Sequence, residues 1–332
     1  MTREAPRSEE AGVSGAPAGL ASGRAMVITS QAAGQAAGEN FPVALRLLPR
    51  RYRQHLAAVY GFARSADDMG DKAPIADRLA LLDELEADMA RLYRLGPRPR
   101  DGVTRPSGHR GVPGGHPPES AAAPGADGPR LPVVAALAPA VAQCAIPEQP
   151  FLDLIQANRQ DQAVTRYESF TGLLGYCKLS ANPVGRIVLH VFGVATSRRE
   201  ELSDLVCTAL QLAEHWQDVA EDLRAGRIYL PAEDMERFGV TENDLAASSA
   251  TAGVRELIAF ETGRARSLLD QGAPIVGTLH GAARAAVAGY VAGGRAALAA
   301  IAASGHDVLA ATPRPGKRRV AAELAKTYVS GR

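Results

Sequence analysis

The chain is short of aromatics, of cysteine and of net charge, and each shortage removes a class of function. Phe, Trp and Tyr make up 5 % of its 332 residues, which argues against the base-stacking platforms of single-strand nucleic-acid binders. Lys and Arg number 37 against 36 Asp and Glu, a net charge of +1. Nothing in that balance points to nucleic acid. Cys144, Cys177 and Cys207 share no Cys-x-x-Cys spacing; neither a disulfide framework nor a zinc site is suggested, and a reducing cytoplasm fits. No uninterrupted apolar run reaches the roughly 18 residues of a membrane span. The Ala-rich stretch from Gly281 to Ala303 holds Arg284 and Arg295, so we expect no bilayer crossing. Alternating strand patterns are nearly absent. Only Arg227-Ile228-Tyr229-Leu230 is extended in character, and Pro231 closes it. Gly289-Tyr290-Val291-Ala292-Gly293-Gly294 lacks a preceding strand and the Gly-x-Gly-x-x-Gly spacing of a dinucleotide site.

What is present is helix. Hydrophobic residues are 46 % of the chain, enough for a sizeable core. Residues 1–38 are Ala, Gly, Ser and Pro without periodicity and read as disordered. Residues 97–130 hold 8 Pro and 7 Gly among 34 positions, which reads as a floppy insertion; His109 and His116 within it read as solvated loop residues. Asn40-Phe41-Pro42 looks like a helix start, and Pro49 precedes an apolar helix over 56–69. Leu82, Leu85, Met89 and Leu92 mark the next helix. Apolar periodicity continues over 133–144, 151–157, 170–179 and 183–192. Thr241 with Asp244 reads as a capping box, and long helices follow from about Gly253 and Gly281. The predicted fold is all-α, a single large bundle of about ten helices.

Two polar stripes interrupt this pattern. Tyr60, Arg64, Asp67 and Asp71 are spaced four, three and four apart, one helix face. Gln211, Glu214, Asp218 and Asp222 repeat the arrangement about 150 positions later. Such a stripe either faces solvent or walls a polar cavity, and one Asp-x-x-x-Asp alone is a weak signal. Two of them, both in apolar helices, favour the cavity. Carboxylates one turn apart sit about 5–6 Å from each other and suit Mg²⁺, which takes oxygen ligands and bridges substrate phosphates. Facing helices of this kind are able to clamp a diphosphate and assist its departure.

Asp67-Asp68-Met69-Gly70-Asp71, and Asp218-Val219-Ala220-Glu221-Asp222 followed by Gly226-Arg227-Ile228-Tyr229-Leu230-Pro231, resemble the two aspartate motifs of the squalene/phytoene synthase family. The resemblance spans about residues 39 to 305. Glu39-Asn40-Phe41-Pro42-Val43-Ala44, Arg46-Leu47-Leu48-Pro49, Ser180-Ala181-Asn182-Pro183-Val184-Gly185-Arg186 and Trp216-Gln217-Asp218 resemble its bacterial hydroxysqualene synthases of hopanoid biosynthesis. The resemblance implies an all-α isoprenoid-synthase fold with a central substrate cavity and Mg²⁺ between the motifs. Asp67, Asp71, Asp218 and Asp222 then match metal ligands. Arg64 matches a diphosphate-binding arginine and Tyr60 a tyrosine of the same pocket. Tyr176 and Gln211 match cavity-lining residues of the catalytic group, and Asp161 an acidic cavity residue. Asn40, Phe41, Arg227 and Tyr229 fall in segments expected to bind substrate. The chain departs from the pattern at Glu214, where the family usually has Asn; Glu214 is either a substitute ligand or a sign of altered activity. Gln217 stands where phytoene synthases often carry a phosphate-binding Arg, and its neutrality fits an enzyme that does not run the whole two-step condensation.

The expected activity is conversion of presqualene diphosphate to hydroxysqualene by ionisation, rearrangement and water quench, without NADPH. Asn182 either orients the water or caps the helix beginning at Pro183. Trp216 and Tyr290 are core aromatics or cation stabilisers; His190 and His215 read as structural. Two alternatives stay open: head-to-head synthesis of presqualene diphosphate, squalene or phytoene, and a non-catalytic isoprenoid-diphosphate binder or pathway scaffold. The segment 311–332 carries six basic residues against Glu323 alone. It is either a solvated tail or a contact with anionic lipid at the inner membrane surface of a cytoplasmic protein.

Overall fold

The computed structural model describes residues 48–94 and 128–331. Among them the chain is all helix and turn, with one isolated parallel bridge between Arg166 and Ile228; the extended character of 227–230 ends in that bridge. The expectations for residues 1–38, for Asn40, Phe41 and the helix start there, and for His109 and His116 lie outside the described residues.

Helix α1 (Arg50–Asp71) starts directly after Pro49, whose φ of −51° is already helical in value. Leu56, Val59, Phe62, Ala66 and Met69 recur at three- and four-residue spacing and are buried, which turns Arg64, Asp67 and Asp71 away from the core. Phe62 meets Phe151 edge-on, ring centroids 5.1 Å apart. Helix α2 (Arg78–Arg94) buries Leu82, Leu85, Met89 and Leu92. Its Asp88 is fully buried and accepts from Arg91 and from the backbone N–H groups of Arg130 and Leu131 at 2.8–3.0 Å. Arg130, the last residue of the Pro/Gly-rich segment read from sequence, is thus fastened to α2 by Asp88.

Next come α3 (Pro132–Cys144), α4 (Gln149–Gln160), α5 (Phe170–Ser180), α6 (Asn182–Val191) and α7 (Ser197–Gln217). Ser169 and Thr196 cap α5 and α7 by accepting from the backbone N–H three residues on. Helix α7 is the hub, packed against α6, α5, α11 (Ala252–Gly272) and α12 (Gly281–Ala303). Close approach there requires small residues: a Cβ on Gly294 would lie 2.7 Å from Leu210 Cδ2, and one on Gly272 2.7 Å from the Leu202 carbonyl. Between α7 and α11 run the short helices α8 (Val219–Arg224), α9 (Ala232–Arg237) and α10 (Glu242–Leu245), the last opened by the Thr241/Asp244 capping box. Arg264 of α11 ties α9 down, pairing with buried Asp234 at 2.5 Å and with buried Glu261 at 3.2 Å.

Helix α12 is, among the described residues, long and apolar enough to cross a membrane, but half of it is buried against α7, α11 and α13. Helix α13 (Lys317–Ser330) is the second departure from expectation. The basic C-terminal segment is a helix packed along α12, with Thr327 buried and Leu324 against the core.

Candidate functional site

The last two turns of α1 carry the first acidic wall. Asp68 is buried and neutralised by Arg64 Nε at 3.1 Å and Lys72 Nζ at 2.8 Å. Asp67 is reached by solvent yet crowded by protein, and burial pushes its carboxyl up to about 6, with the Asp71 charge adding to the shift and the Asn158 hydrogen bond opposing it. That bond, Asn158 Nδ2 donating to Asp67 Oδ1 at 3.1 Å, comes from the end of α4. Gly70 allows it: a Cβ there would lie 2.6 Å from Asn158 Oδ1. Asp71 is paired with Arg227 at 2.7 Å. Tyr60 lies half-buried one turn before Arg64.

Arg227 arrives from the far wall. After α8 the chain reverses at Gly226, whose φ of +84° only glycine adopts freely. Residues 227–230 then run beside 165–167, with Ile228 N–H donating to the Thr165 carbonyl. This brings Tyr229 into a cluster of rings. Its plane stacks on His215 at 3.7 Å and 16°, and faces Tyr176 at 5.8 Å and Tyr167 at 6.0 Å. Tyr176 donates to Asp161 Oδ2 at 2.9 Å. Asp161 caps the end of α4, and burial pushes its carboxyl up to about 6 against the pull of Arg227; its Oδ1 is buried without a partner. Burial also raises the hydroxyls of Tyr176 and Tyr229, with the Asp161 charge adding to both. Both phenols stay protonated.

The second wall departs from the single helical face that its spacing suggests. Helix α7 stops at Gln217, and Asp218 takes φ −106° and ψ 16°, a break that separates Gln211 and Glu214 on α7 from Asp222 on α8. Gln211 contacts His215 Nε2 at 3.1 Å, and His215 Nδ1 lies 3.9 Å from Asp222 Oδ2. His215, read from sequence as structural, is therefore part of the site. Burial raises the carboxyls of Glu214 and Asp218, and Asp222 repels both. Asp218 Oδ1 and Asp222 Oδ2 are buried with no hydrogen-bond partner.

Glu214, Gln217 and Asp218 line a cavity of about 290 Å³ with Thr312 and Arg314. That is the small end of ligand pockets, about 300–1,000 Å³, and its lining comes from α7, the break at Asp218, α12 and the segment before α13. Arg314 offsets the charge of Asp218, while Gln217 donates to the Pro313 carbonyl. The inference from a neutral Gln217 thus needs correction: the segment before α13 brings a guanidinium to the same cavity. Asn182 is also settled differently. Ala181 occupies the cap position, and Asn182, buried, accepts from Thr208 Oγ1 at 2.9 Å. The capping alternative is excluded. Trp216 is fully buried.

Among the described residues no three acidic, histidine or cysteine side chains stand close enough to hold an ion by themselves. The donor set still fits Mg²⁺ in the mode where one or two carboxylates share the ion with substrate phosphates. The orphaned oxygens of Asp218 and Asp222 are carboxylate oxygens left for such a partner. Asn158, His215, Tyr167 and Arg314 are the site residues that sequence reasoning missed. The only sequence signal for any of them is His215, which sits inside the second acidic stretch.

Acidic walls on two helix systems, a ring cluster between them and an all-helical frame define an isoprenoid-synthase type of protein. The model of the family described as squalene/phytoene synthase matches residues 35–323, and the chain belongs to that family. A hydroxysqualene synthase of Zymomonas mobilis is 32 % identical over 249 residues, covering 73 % of this chain and 71 % of its own length. A presqualene diphosphate synthase of Rhodopseudomonas palustris is 32 % identical over 226 residues, covering 67 % and 69 %. The crystal structure of squalene synthase HpnC from Alicyclobacillus acidocaldarius superposes with a TM-score of 0.69 at 36 % identity, covering 86 % of this chain and 98 % of that one.

Proposed function

We propose that the chain converts presqualene diphosphate to hydroxysqualene, acting in the cytoplasm as a carbon–oxygen lyase of squalene and hopanoid biosynthesis. The observation that carries this reading is the similarity to hydroxysqualene synthases over nearly three quarters of the chain, together with a family match over residues 35–323 that takes in both acidic walls. Asp67, Asp71, Glu214, Asp218 and Asp222 would hold Mg²⁺, which when bound supplies positive charge to the departing diphosphate. Arg64 on the first wall, Arg227 reaching across from the far wall to Asp71, and Arg314 at the second wall offer guanidinium groups to phosphate oxygens. Departure of diphosphate leaves a cyclopropylcarbinyl cation in the substrate skeleton. The π faces of Tyr167, Tyr176 and Tyr229 suit such a cation, and their raised hydroxyls keep them from competing as nucleophiles. After ring opening, water adds its oxygen to the cation and gives its proton to the released diphosphate or to solvent. Asn182 and Gln211 are assigned to orienting that water. No NADPH is required on this path.

A second reading, head-to-head joining of two prenyl diphosphates, is favoured by the similarity to a presqualene diphosphate synthase and by the cation that Arg314 returns to the cavity. One incubation separates the two. Purified protein with Mg²⁺ and no NADPH is given presqualene diphosphate or farnesyl diphosphate, and the lipids are extracted. Hydroxysqualene from the first substrate alone is expected. Presqualene diphosphate accumulating from the second sinks the proposal, and no turnover of either leaves a non-catalytic binder.

A further inference from the structure

Helix α13 is docked, and its outward face has an unusual composition. Thr327 accepts from Arg295 Nη1 at 3.2 Å, Arg284 donates to the Tyr328 carbonyl at 2.5 Å, and Gly331 lies against Gly277. These contacts fix which side faces away from the protein. In steps of 100° per residue, Ala325, Arg318, Val329 and Ala322 fall within about 60° of one another, and all four are exposed, Val329 to 83 %. Lys326 and Arg319 flank them on one side, and Lys317 and Tyr328 on the other, all exposed. Glu323, the one acid of the helix, points elsewhere and is half-buried. Among the described residues, none of Arg318, Arg319 and Lys326 forms an ion pair.

This outward face interleaves exposed apolar side chains, Val329 at 83 % and Tyr328 at 43 % among alanines, with Lys317, Arg318, Arg319 and Lys326 and no acid, the composition of a helix that lies in the plane of a membrane interface. We propose that α13 docks the protein on an anionic lipid bilayer, with Val329, Ala322 and Ala325 at the headgroup boundary and Arg318, Arg319 and Lys326 on lipid phosphates. A nucleic acid would satisfy the charges but not exposed Val329 and Tyr328. Arg314 lies three residues before the helix and lines the acidic cavity, so docking there sets that cavity beside the bilayer. The vesicle test below is independent of the reaction proposed above.

Full-length protein is sedimented with vesicles of phosphatidylcholine alone and with vesicles that also contain phosphatidylglycerol. Binding to the anionic vesicles only is expected, with release by added salt, an arm that needs no variant. At roughly fivefold per basic residue, Arg318→Gln/Arg319→Gln/Lys326→Gln should weaken it on the order of a hundredfold, and Val329→Ser roughly tenfold, with unchanged thermal melts. Absence of binding, equal binding to both vesicles, equal binding of wild type and a folded triple variant, or preference for duplex DNA over anionic vesicles would each overturn the proposal.

Discussion

On α1, Asp67 has Asn158, Asp68 has Arg64 and Lys72, and Asp71 has Arg227. On the opposite wall, Glu214, Asp218 and Asp222 repel one another, and two of their oxygens are buried without a hydrogen bond. Two stretches of similar sequence are thus treated differently by the fold. The first wall is held in place by the protein itself, whereas the second carries charge that, among the described residues, Arg314 and His215 oppose. A buried acid without a partner is costly; Asp88 collects three donor groups and Asp234 an arginine, whereas Asp218 and Asp222, side by side, each leave an oxygen without a hydrogen bond. The second wall is therefore where an incoming cation has most to gain.

The largest effect expected from breaking this comparison is in Asp67→Ala combined with Asp218→Ala. Taking one carboxylate from each wall should lower hydroxysqualene formation roughly a thousandfold, and undiminished turnover would remove the metal clamp from the account. The single arginines come next. Arg314→Gln should lower kcat/KM roughly a hundredfold because no other guanidinium among the described residues lines that cavity, against roughly tenfold for Arg227→Gln, because Arg64 remains on the wall that Arg227 reaches. Equal losses would mean that the two walls share their cations.

Glu214→Asn sharpens the question of the extra carboxylate. If Glu214 is a ligand, the Mg²⁺ concentration for half-maximal activity should rise roughly tenfold; an unchanged Mg²⁺ dependence with full activity would assign Glu214 a non-ligating place. The smallest effect is on stability, outside the site. Burial, with a hydrogen bond to Asp234, pushes the Glu261 carboxyl up to about 8. The folded state therefore holds a proton that the unfolded chain releases near 4.5, so wild-type stability falls as pH rises from about 4.5 to about 8 and levels off above. Glu261→Gln should remove that slope and gain on the order of 3 kcal/mol relative to wild type between pH 5 and pH 8, read from denaturant melts. Parallel curves for the two proteins would show Glu261 ionised in the fold.

The helical periodicity of Leu56 to Met69 and of Leu82 to Leu92, the Thr241/Asp244 cap and the two acidic stripes are local patterns, legible because a helix repeats every 3.6 residues. Family membership followed from motif spacing for the same reason. Three features were not local. Asp218 breaks the second stripe through its backbone angles, which one-residue patterns do not encode. His215 acquires a place in the site because Gly226 folds Tyr229 back onto it, and Asn158 reaches Asp67 only because α4 packs against α1 at Gly70.

The sequence by itself determined the all-α class, the family, the two acidic segments and the abundance of positive charge after Pro313. Tertiary structure alone decided which carboxylates are satisfied, which side chains from distant segments join them, and that the basic segment is a docked helix whose outward face mixes basic and exposed apolar side chains. The physical reason is that pairing and burial depend on through-space distances between groups up to 156 positions apart, as in Arg227 and Asp71, and such distances exist only once the helices have packed.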